Sequence, residues 1–511
     1  MTRTPFAGPA AAVALLLAVL GVGVLAYIHQ LAAGDVVTGM RAVGAGGAVW
    51  GLYVVMDGLF LGVGVVLMAC ACVARFSRDR DMETAARIAM PVAIACFLAA
   101  ALSVLADQGR PWVALSSLAW FARPQSPLFA TFTSVGAVCL LGGLVHGVLA
   151  RRPDLAEYAK RPSFWQPAQR LLAAGYHGSA GQRYRRRQAG FWMSLGMLVA
   201  LTVPLATLAI IFTVRPGRPL FSVVCEAVAF TLASGAGGLS LLVLAAALVG
   251  RLTGPRAGLG TRGFARLGRG LLLVDALAVL SVVVAEIAGL ASSEPPVWAC
   301  ARALLGNAYG SLFWSELGLL FLAGFLLWRG ARRTGLGPRV VVAASALSLV
   351  AVFLQRYLVL VAWQTHGLLL PYRPGTYCPS WIEVAVALGI VALCVLLLLP
   401  VARLIPFAPA VHDGQPVQGR VADPRRALLT ALWFVAGLAI AAAGLALSLR
   451  AGTESFLDPV FPASPVVFMA GLAVLATTGA VYELVPDRRR ASTDVAISVS
   501  DAPAAAQPSP R

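Results

Sequence analysis

Four chargeable side chains lie within long apolar segments of this sequence, and their types suit proton transfer. They are Asp57, Asp107, Arg356 and Glu383. A carboxylate within hydrogen-bond reach of a bound hydroxyl group can accept its proton, and an arginine can donate hydrogen bonds that orient the bound molecule. We therefore consider these four residues candidate catalytic groups.

Each of these residues also admits a structural interpretation. Arg356 could form an ion pair with Glu383 or Asp57 that holds helices together, and Asp107 could stabilise the turn before Gly109. A charge at the centre of a bilayer costs about 2.5 to 3.5 kcal/mol, and such groups normally face the protein interior and mark a site or pathway. As a group, the four residues therefore favour a function.

The composition places these residues in a membrane protein. Of the 511 residues, 59% are hydrophobic and only 12% are charged, whereas roughly a quarter of the residues in a soluble domain are charged. Apolar runs of about 20 residues, long enough to cross a hydrocarbon core, recur along the chain. We predict an all-α protein with twelve transmembrane helices near residues 10–32, 48–74, 86–106, 127–150, 190–214, 221–249, 270–291, 304–328, 338–363, 380–402, 427–449 and 463–484.

The basic residues predict the orientation of these helices. Most of the 40 lysines and arginines lie in alternate connections, above all in the long one over residues 151–188, where we expect a short interfacial helix. By the positive-inside rule these connections and both termini are cytoplasmic, in a bacterial inner membrane. The net charge of +18 is then a topology signal and an attraction to lipid headgroups, and it requires no nucleic acid.

This topology places nearly all of the chargeable groups of the bundle in its outer half. A proton path could comprise Glu226, Glu286, Glu316, His29, His146 and Asp275. Two of these, His146 and Asp275, lie toward the cytoplasmic ends of their helices and could continue the path inward. We favour the simpler interpretation of these two as polar residues at headgroup level.

The histidines and cysteines predict no haem and no metal site in this chain. A haem b held by two histidines needs both at one depth within the helices, and the five histidines do not provide such a pair. The eight cysteines are scattered and form no cluster with ligand spacing.

Several strings resemble, in order and spacing, the NrfD-like or polysulfide reductase membrane subunit family. They are WGLYVVMDGLFLGVG, DQGRPW followed by RPQSPLF, GSLFWSELGLL, and RYLVLVAWQ followed by YCPSWIEVAVALG. The resemblance covers about residues 10–405. The sequence departs from the family at Ala362-Trp363-Gln364, where many members have Gly-Gly-Gln, and in two further helices after Pro406.

The resemblance implies a fold and a function. The fold would have two four-helix bundles at its core, and the chain would exchange electrons between menaquinone or ubiquinone and a ferredoxin-like iron–sulfur subunit on the periplasmic face, with further cytochrome or catalytic subunits in the complex. Beside the catalytic candidates, the quinone-binding positions implied by the family motifs are Trp50, Tyr53, Arg110, Ser126, Gln364 and Ser380.

The sequence thus predicts a core over residues 1–405, two additional helices over 406–485 and a disordered tail over 486–511. Two other functions remain open. One is a secondary transporter, for which twelve helices with both ends inside is a common count. The other is a structural membrane anchor for a peripheral enzyme.

Overall fold

A computed structural model describes residues 7–40, 50–77, 79–113, 135–213, 220–253, 258–306, 309–333, 335–365, 377–405, 407, 424–451 and 463–484. These residues form helices, and ten of the helices in this part of the chain are long and apolar enough to cross a membrane. The ten are α1 (Ala7–Ala33), α2 (Leu52–Ala74), α3 (Arg80–Asp107), α6 (Ala180–Thr213), α7 (Leu220–Thr253), α8 (Thr261–Leu290), α10 (Gly310–Arg333), α11 (Pro338–Tyr357), α12 (Trp381–Leu404) and α13 (Pro424–Ala451).

Four further helices, besides the short helical segments Asp35–Val37, Leu358–Ala362 and Trp363–Thr365, belong to the described part. Helix α4 consists of a π-helical segment, Val135–Gly142, that continues as the α-helical segment Gly143–Tyr158. Helix α14 consists of two α-helical segments, Ala463–Ala476 and Thr478–Leu484. The short helices are α5 (Gln166–Ala173) and α9 (Pro295–Gly306). The prediction of an all-α polytopic membrane protein is confirmed, and α4 and α14 overlap the fourth and twelfth predicted spans.

Several predicted boundaries were wrong. Helix α6 begins at Ala180 instead of 190, and α8 begins at Thr261 instead of 270. Two further differences have local reasons. Helix α3 begins at Arg80 instead of 86, because the Asp79 side chain accepts a hydrogen bond from the Asp81 N–H and caps the helix. The predicted helix over 304–328 begins only at Gly310, because Leu304 belongs to the separate helix α9, which ends at Gly306.

The helices form two adjacent four-helix bundles. In the first bundle α2 packs on α3, α3 on α4, α4 on α6, and α6 on α2. In the second bundle α7, α8, α10 and α11 form an equivalent ring. Helices α2 and α6 of the first bundle pack on α7 of the second, so the two rings share one core.

Two helix pairs lie outside the rings. Helix α1 packs on α12, where a Cβ atom at Gly23 would lie 2.7 Å from the Cα of Gly389, so both glycines are needed for this approach. Helix α13 packs on α14, which in turn packs on α6 and α4. We call the end of the molecule that carries Arg75, Arg80 and Arg251 the basic end, and the other end the opposite end.

Candidate functional site

Glu383 is held at the opposite end by a set of protein donors. It forms a capping box with Ser380 at the start of α12, and its Oε2 atom accepts hydrogen bonds from the N–H groups of Ser380 (2.8 Å) and Gly39 (2.7 Å). The Tyr377 hydroxyl donates to Oε1. Burial and this hydrogen bond raise the pKa of Tyr377, so the phenol stays a donor. The buried carboxylate therefore ties the turn after α1 to α12.

Gln364 makes a similar connection between α11 and α2. Its Oε1 accepts from the Trp50 N–H (2.8 Å), and its Nε2 donates to the Trp50 carbonyl (3.2 Å) and to the Leu360 carbonyl (2.5 Å). The side chain thus pairs with a backbone segment much as a neighbouring strand would. Gln364 lies directly after a π-helical segment, Leu358–Ala362, which ends the regular part of α11.

Asp57 lies in the second turn of α2, and Asp107 is the last residue of α3. Gln30 Nε2 donates to the carbonyl of Ala106, the residue before Asp107 (3.3 Å). The two carboxylates interact electrostatically, and both residues are only partly buried. Tyr53, one turn from Asp57, donates from its hydroxyl to Gln30 Oε1 (2.6 Å), and its electrostatic neighbours include Asp107 and Glu383. The structure therefore brings three of the four catalytic candidates into one region.

The turn after α3 closes over this region. Gly109 has a φ of +63°, and a Cβ atom there would lie 3.0 Å from a carboxylate oxygen of Asp35. Asp35 also accepts a hydrogen bond from Gln30 Nε2 (3.3 Å). A glycine is therefore required at this turn both by its conformation and by its space.

Arg356 lies elsewhere, and the ion pair with Glu383 or Asp57 that was the structural alternative is not formed. Its guanidinium donates to the Phe230 carbonyl (2.8 Å) and to Ser234 Oγ (2.5 Å), and lies 3.4 Å from the centroid of the Phe230 ring. Its electrostatic partner is Glu316. The two side chains face different helices. Arg356 on α11 points to α7, whereas Glu383 lies in the first turn of α12, which packs on α1 and α3.

The three glutamates of the expected proton path meet in the second bundle. A cavity in this bundle is lined by Glu226 from α7, Glu286 from α8 and Glu316 from α10, and by Gln355 from α11. Its other walls are apolar. Glu316 is almost fully buried and interacts electrostatically with Glu286 and with Arg356. We call this space the acidic cavity.

The remaining candidates of the proton path are separated. His29 is exposed on α1. His146 is buried in the first bundle with its Nε2 atom 3.1 Å from Ser194 Oγ, and Asp275 is buried in the second bundle, where Ser348 donates to it (2.8 Å). Both side chains face the protein interior, and the interpretation of these two residues as lying at headgroup level stays a prediction.

Two implied quinone contacts lack structural support. Arg110 is exposed, and Ser126 lies outside the described residues. Sequence reasoning passed over Gln30, Asp35 and Tyr377, although Tyr377 stands in one of the strings that resemble the family. In the described part of the chain no three His, Cys, Asp or Glu side chains form a group that could hold a metal ion.

Comparison with known proteins places this geometry in a family. The family "Polysulphide reductase, NrfD" matches residues 42–367. A protein of Halobacterium salinarum that is named as a membrane subunit of dimethyl sulfoxide reductase is 27% identical over 435 residues, which cover 78% of this chain and 91% of the relative. Because the family match spans more than half of the 511 residues, the chain belongs to the polysulphide reductase NrfD family of membrane proteins.

Proposed function

We propose that this chain is the quinone-exchanging membrane subunit of a respiratory reductase complex. It binds menaquinone or ubiquinone at the opposite end and exchanges electrons with a ferredoxin-like iron–sulfur subunit docked there. Family membership supports a subunit of a reductase complex. The relative's name, that of a membrane subunit of dimethyl sulfoxide reductase, supports partner subunits that carry the catalytic chemistry.

The observation that carries the proposal is the hydrogen-bonded link from Tyr53 on α2 through Gln30 to the Ala106 carbonyl on α3, which brings Asp107 to the part of α2 that carries Asp57. When bound, a quinol supplies two electrons and releases two protons. Two neighbouring carboxylates that are not fully buried can accept those protons, and the Trp50 ring provides an aromatic contact at the same end. The buried Tyr53 hydroxyl holds Gln30 in place beside them. The residues present therefore fit the redox group.

Within this proposal Glu383, Ser380 and Gln364 are positioning residues. Their polar atoms bind protein donors and acceptors, so they fix Gly39 and Trp50 around the region of Asp57. Arg356 would affect the quinone site only indirectly, because its hydrogen bond to the Phe230 carbonyl holds α7 against α11. Arg110 and Ser126 are proposed contacts that a bound quinone would recruit.

The acidic cavity extends the proposal to protons. Glu226, Glu286 and Glu316 line one space, and Asp275 lies on the same bundle. Carboxylates grouped within a membrane bundle commonly relay protons. We propose that this bundle carries protons between the cavity and the basic end, with His146 as a separate polar site in the first bundle.

The orientation of the chain follows from its charges. Under the positive-inside rule the basic end faces the cytoplasm of a bacterial cell, so the quinone site and the iron–sulfur partner lie on the periplasmic side. The connections around residues 114–134 and 366–376, which are outside the described residues, would border that partner.

Solvent extraction of the purified complex tests the proposal. We expect a quinone to be recovered in amounts stoichiometric with the chain, and quinol-dependent turnover in membranes to require Asp107. A structural anchor would give turnover unaffected by Asp107→Asn, and a secondary transporter would show solute uptake without quinone dependence. Either result would refute the proposal.

A further inference from the structure

The basic end contains a group of charges with an excess of arginines. Four guanidinium groups and two carboxylates interact electrostatically where α2, α3, α4 and α6 meet. They are Arg75, Arg87, Arg151, Arg186, Glu83 and Asp154. Four positive charges face two negative ones, and a buried or half-buried charge needs compensation. The group can therefore bind a further anion.

One arginine is ion-paired with both carboxylates. Arg87 binds both Glu83 (3.0 Å) and Asp154. Arg151 donates to the Ile405 carbonyl (3.1 Å), and Arg186 donates to the Ala150 carbonyl (3.1 Å). Arg75 differs from the others.

The Arg75 guanidinium has no hydrogen-bonded or ion-paired partner in the described part of the chain. Its Nε atom is buried and makes no hydrogen bond, and the residue as a whole is half-buried at the C-cap of α2. Burial and the neighbouring Arg186 lower its pKa to about 10. A guanidinium in this position is a donor fork that suits a phosphate group.

An apolar wall lies beside the two arginines. The ring of Phe76, the residue after Arg75, contacts the ring of Phe191 on α6 edge to face at 5.4 Å between centroids. Phe76, Phe191 and Val73 are all exposed, at 43%, 44% and 56%. An anion site at the end of two spanning helices, next to exposed apolar rings, has the two parts that a phospholipid needs.

We propose that Arg75 and Arg186 bind the phosphate of an anionic phospholipid, with its acyl chains lying along Val73, Phe76 and Phe191. The charge of the group selects an anionic lipid over a zwitterionic one. The apolar wall selects a lipid over a free phosphate ion. The bound lipid compensates the excess charge where the first bundle meets the membrane surface.

The test compares phosphatidylglycerol with phosphatidylcholine on the full-length purified protein. Retained lipid is counted by native mass spectrometry after delipidation and addition of equal amounts of both lipids. We expect wild type to retain phosphatidylglycerol selectively, and Arg75→Gln to reduce this selectivity by about fivefold, the effect of one arginine near a membrane surface. Arg251→Gln, an exposed arginine at the basic end outside the charge group, is the matched control and should leave it unchanged.

Three results would overturn the proposal. They are equal retention of the two lipids by wild type, unchanged selectivity in Arg75→Gln, and complete loss of selectivity when inorganic phosphate is added, which would indicate a small-anion site. If Arg75→Gln does not fold, Arg186→Gln takes its place with the same expectation and the same refutation. Arg75→Lys keeps the charge and should retain most of the selectivity.

Discussion

The backbone N–H of Gly39 donates a 2.7 Å hydrogen bond to the carboxylate of Glu383, which lies 344 residues further along the chain. The same carboxylate oxygen accepts from Ser380, and the other oxygen accepts from Tyr377. One side chain thus connects the turn after the first spanning helix with the start of α12. This arrangement makes Glu383 an organiser of the opposite end.

Substitutions of Glu383 should separate positioning from catalysis. Glu383→Ala leaves the half-buried N–H groups of Gly39 and Ser380 without their acceptor, at a cost of about 1 kcal/mol or more each, so we expect less assembled protein on native gels. Glu383→Gln keeps an acceptor for both N–H groups, and its amide can donate to the Tyr377 oxygen. We expect it to assemble and to keep most of its quinol-dependent activity. An assembled Glu383→Gln protein slowed roughly 100-fold would instead identify Glu383 as a proton acceptor.

Asp107 and Asp57 should behave in the opposite way. Each Asp→Asn change keeps the size of the side chain but removes a proton acceptor, so turnover should fall by roughly 100-fold or more while the complex remains assembled. The measurement is quinol oxidation, or quinone reduction, in membranes with matched amounts of complex. Glu294→Gln, an exposed carboxylate in the connection after α8, is the control and should change neither quantity. Normal turnover in both aspartate variants would exclude the proposed site.

The contact between α1 and α12 predicts a large difference between two glycine substitutions. In Gly389→Ala the new Cβ would lie 2.9 Å from the Cα of Gly23, so the helices must move apart, at a cost of about 1 to 3 kcal/mol. A Cβ at Gly318 on α10 meets nothing within 4 Å, so Gly318→Ala should be neutral or slightly stabilising. Thermal unfolding of both variants in one detergent gives the comparison. Equal melting temperatures would show that α1 does not depend on this approach.

The orientation can be measured with Cys378, which is exposed at the opposite end. We expect a membrane-impermeant maleimide added to intact spheroplasts to label Cys378, because the positive-inside rule places this end in the periplasm. Ser179→Cys in a Cys378→Ser background places a thiol at an exposed position before α6, and it should react only after the membrane is opened. The reverse pattern would invert the topology. Cross-links from Cys378 to an iron–sulfur subunit would support docking at this end.

The sequence was sufficient for the fold class and for most helix positions. Their signals are local, because an apolar run of about 20 residues is both the cause and the sign of a spanning helix. The late start of α10 was missed because the apolar stretch continues through Gly306, so hydropathy alone shows no break.

The partners of the polar residues were harder to predict. Depth along a helix can be counted from its end, but the direction of a side chain around the helix depends on which helices are neighbours. An ion pair of Arg356 with Glu383 or Asp57 therefore stayed open as an alternative, although Arg356 faces Phe230 and Glu383 faces Gly39. The sequence predicted only that Glu226, Glu286 and Glu316 lie in the same outer half of the membrane. That they line one cavity depends on how the helices of the second bundle pack together.

In the π-helical segment Leu358–Ala362, the number of residues matters as much as their side chains, because it sets the direction in which Gln364 points. Such a segment holds one more residue than regular α-helix would place in the same turn. Deleting a single residue there would rotate everything after it by about 100° about the helix axis. Gln364 would then face away from Trp50 although no residue in contact had changed. The number of residues between Arg356 and Gln364 thus determines which side chain faces α2. A relative with one residue more or fewer in this interval would present a different side chain there.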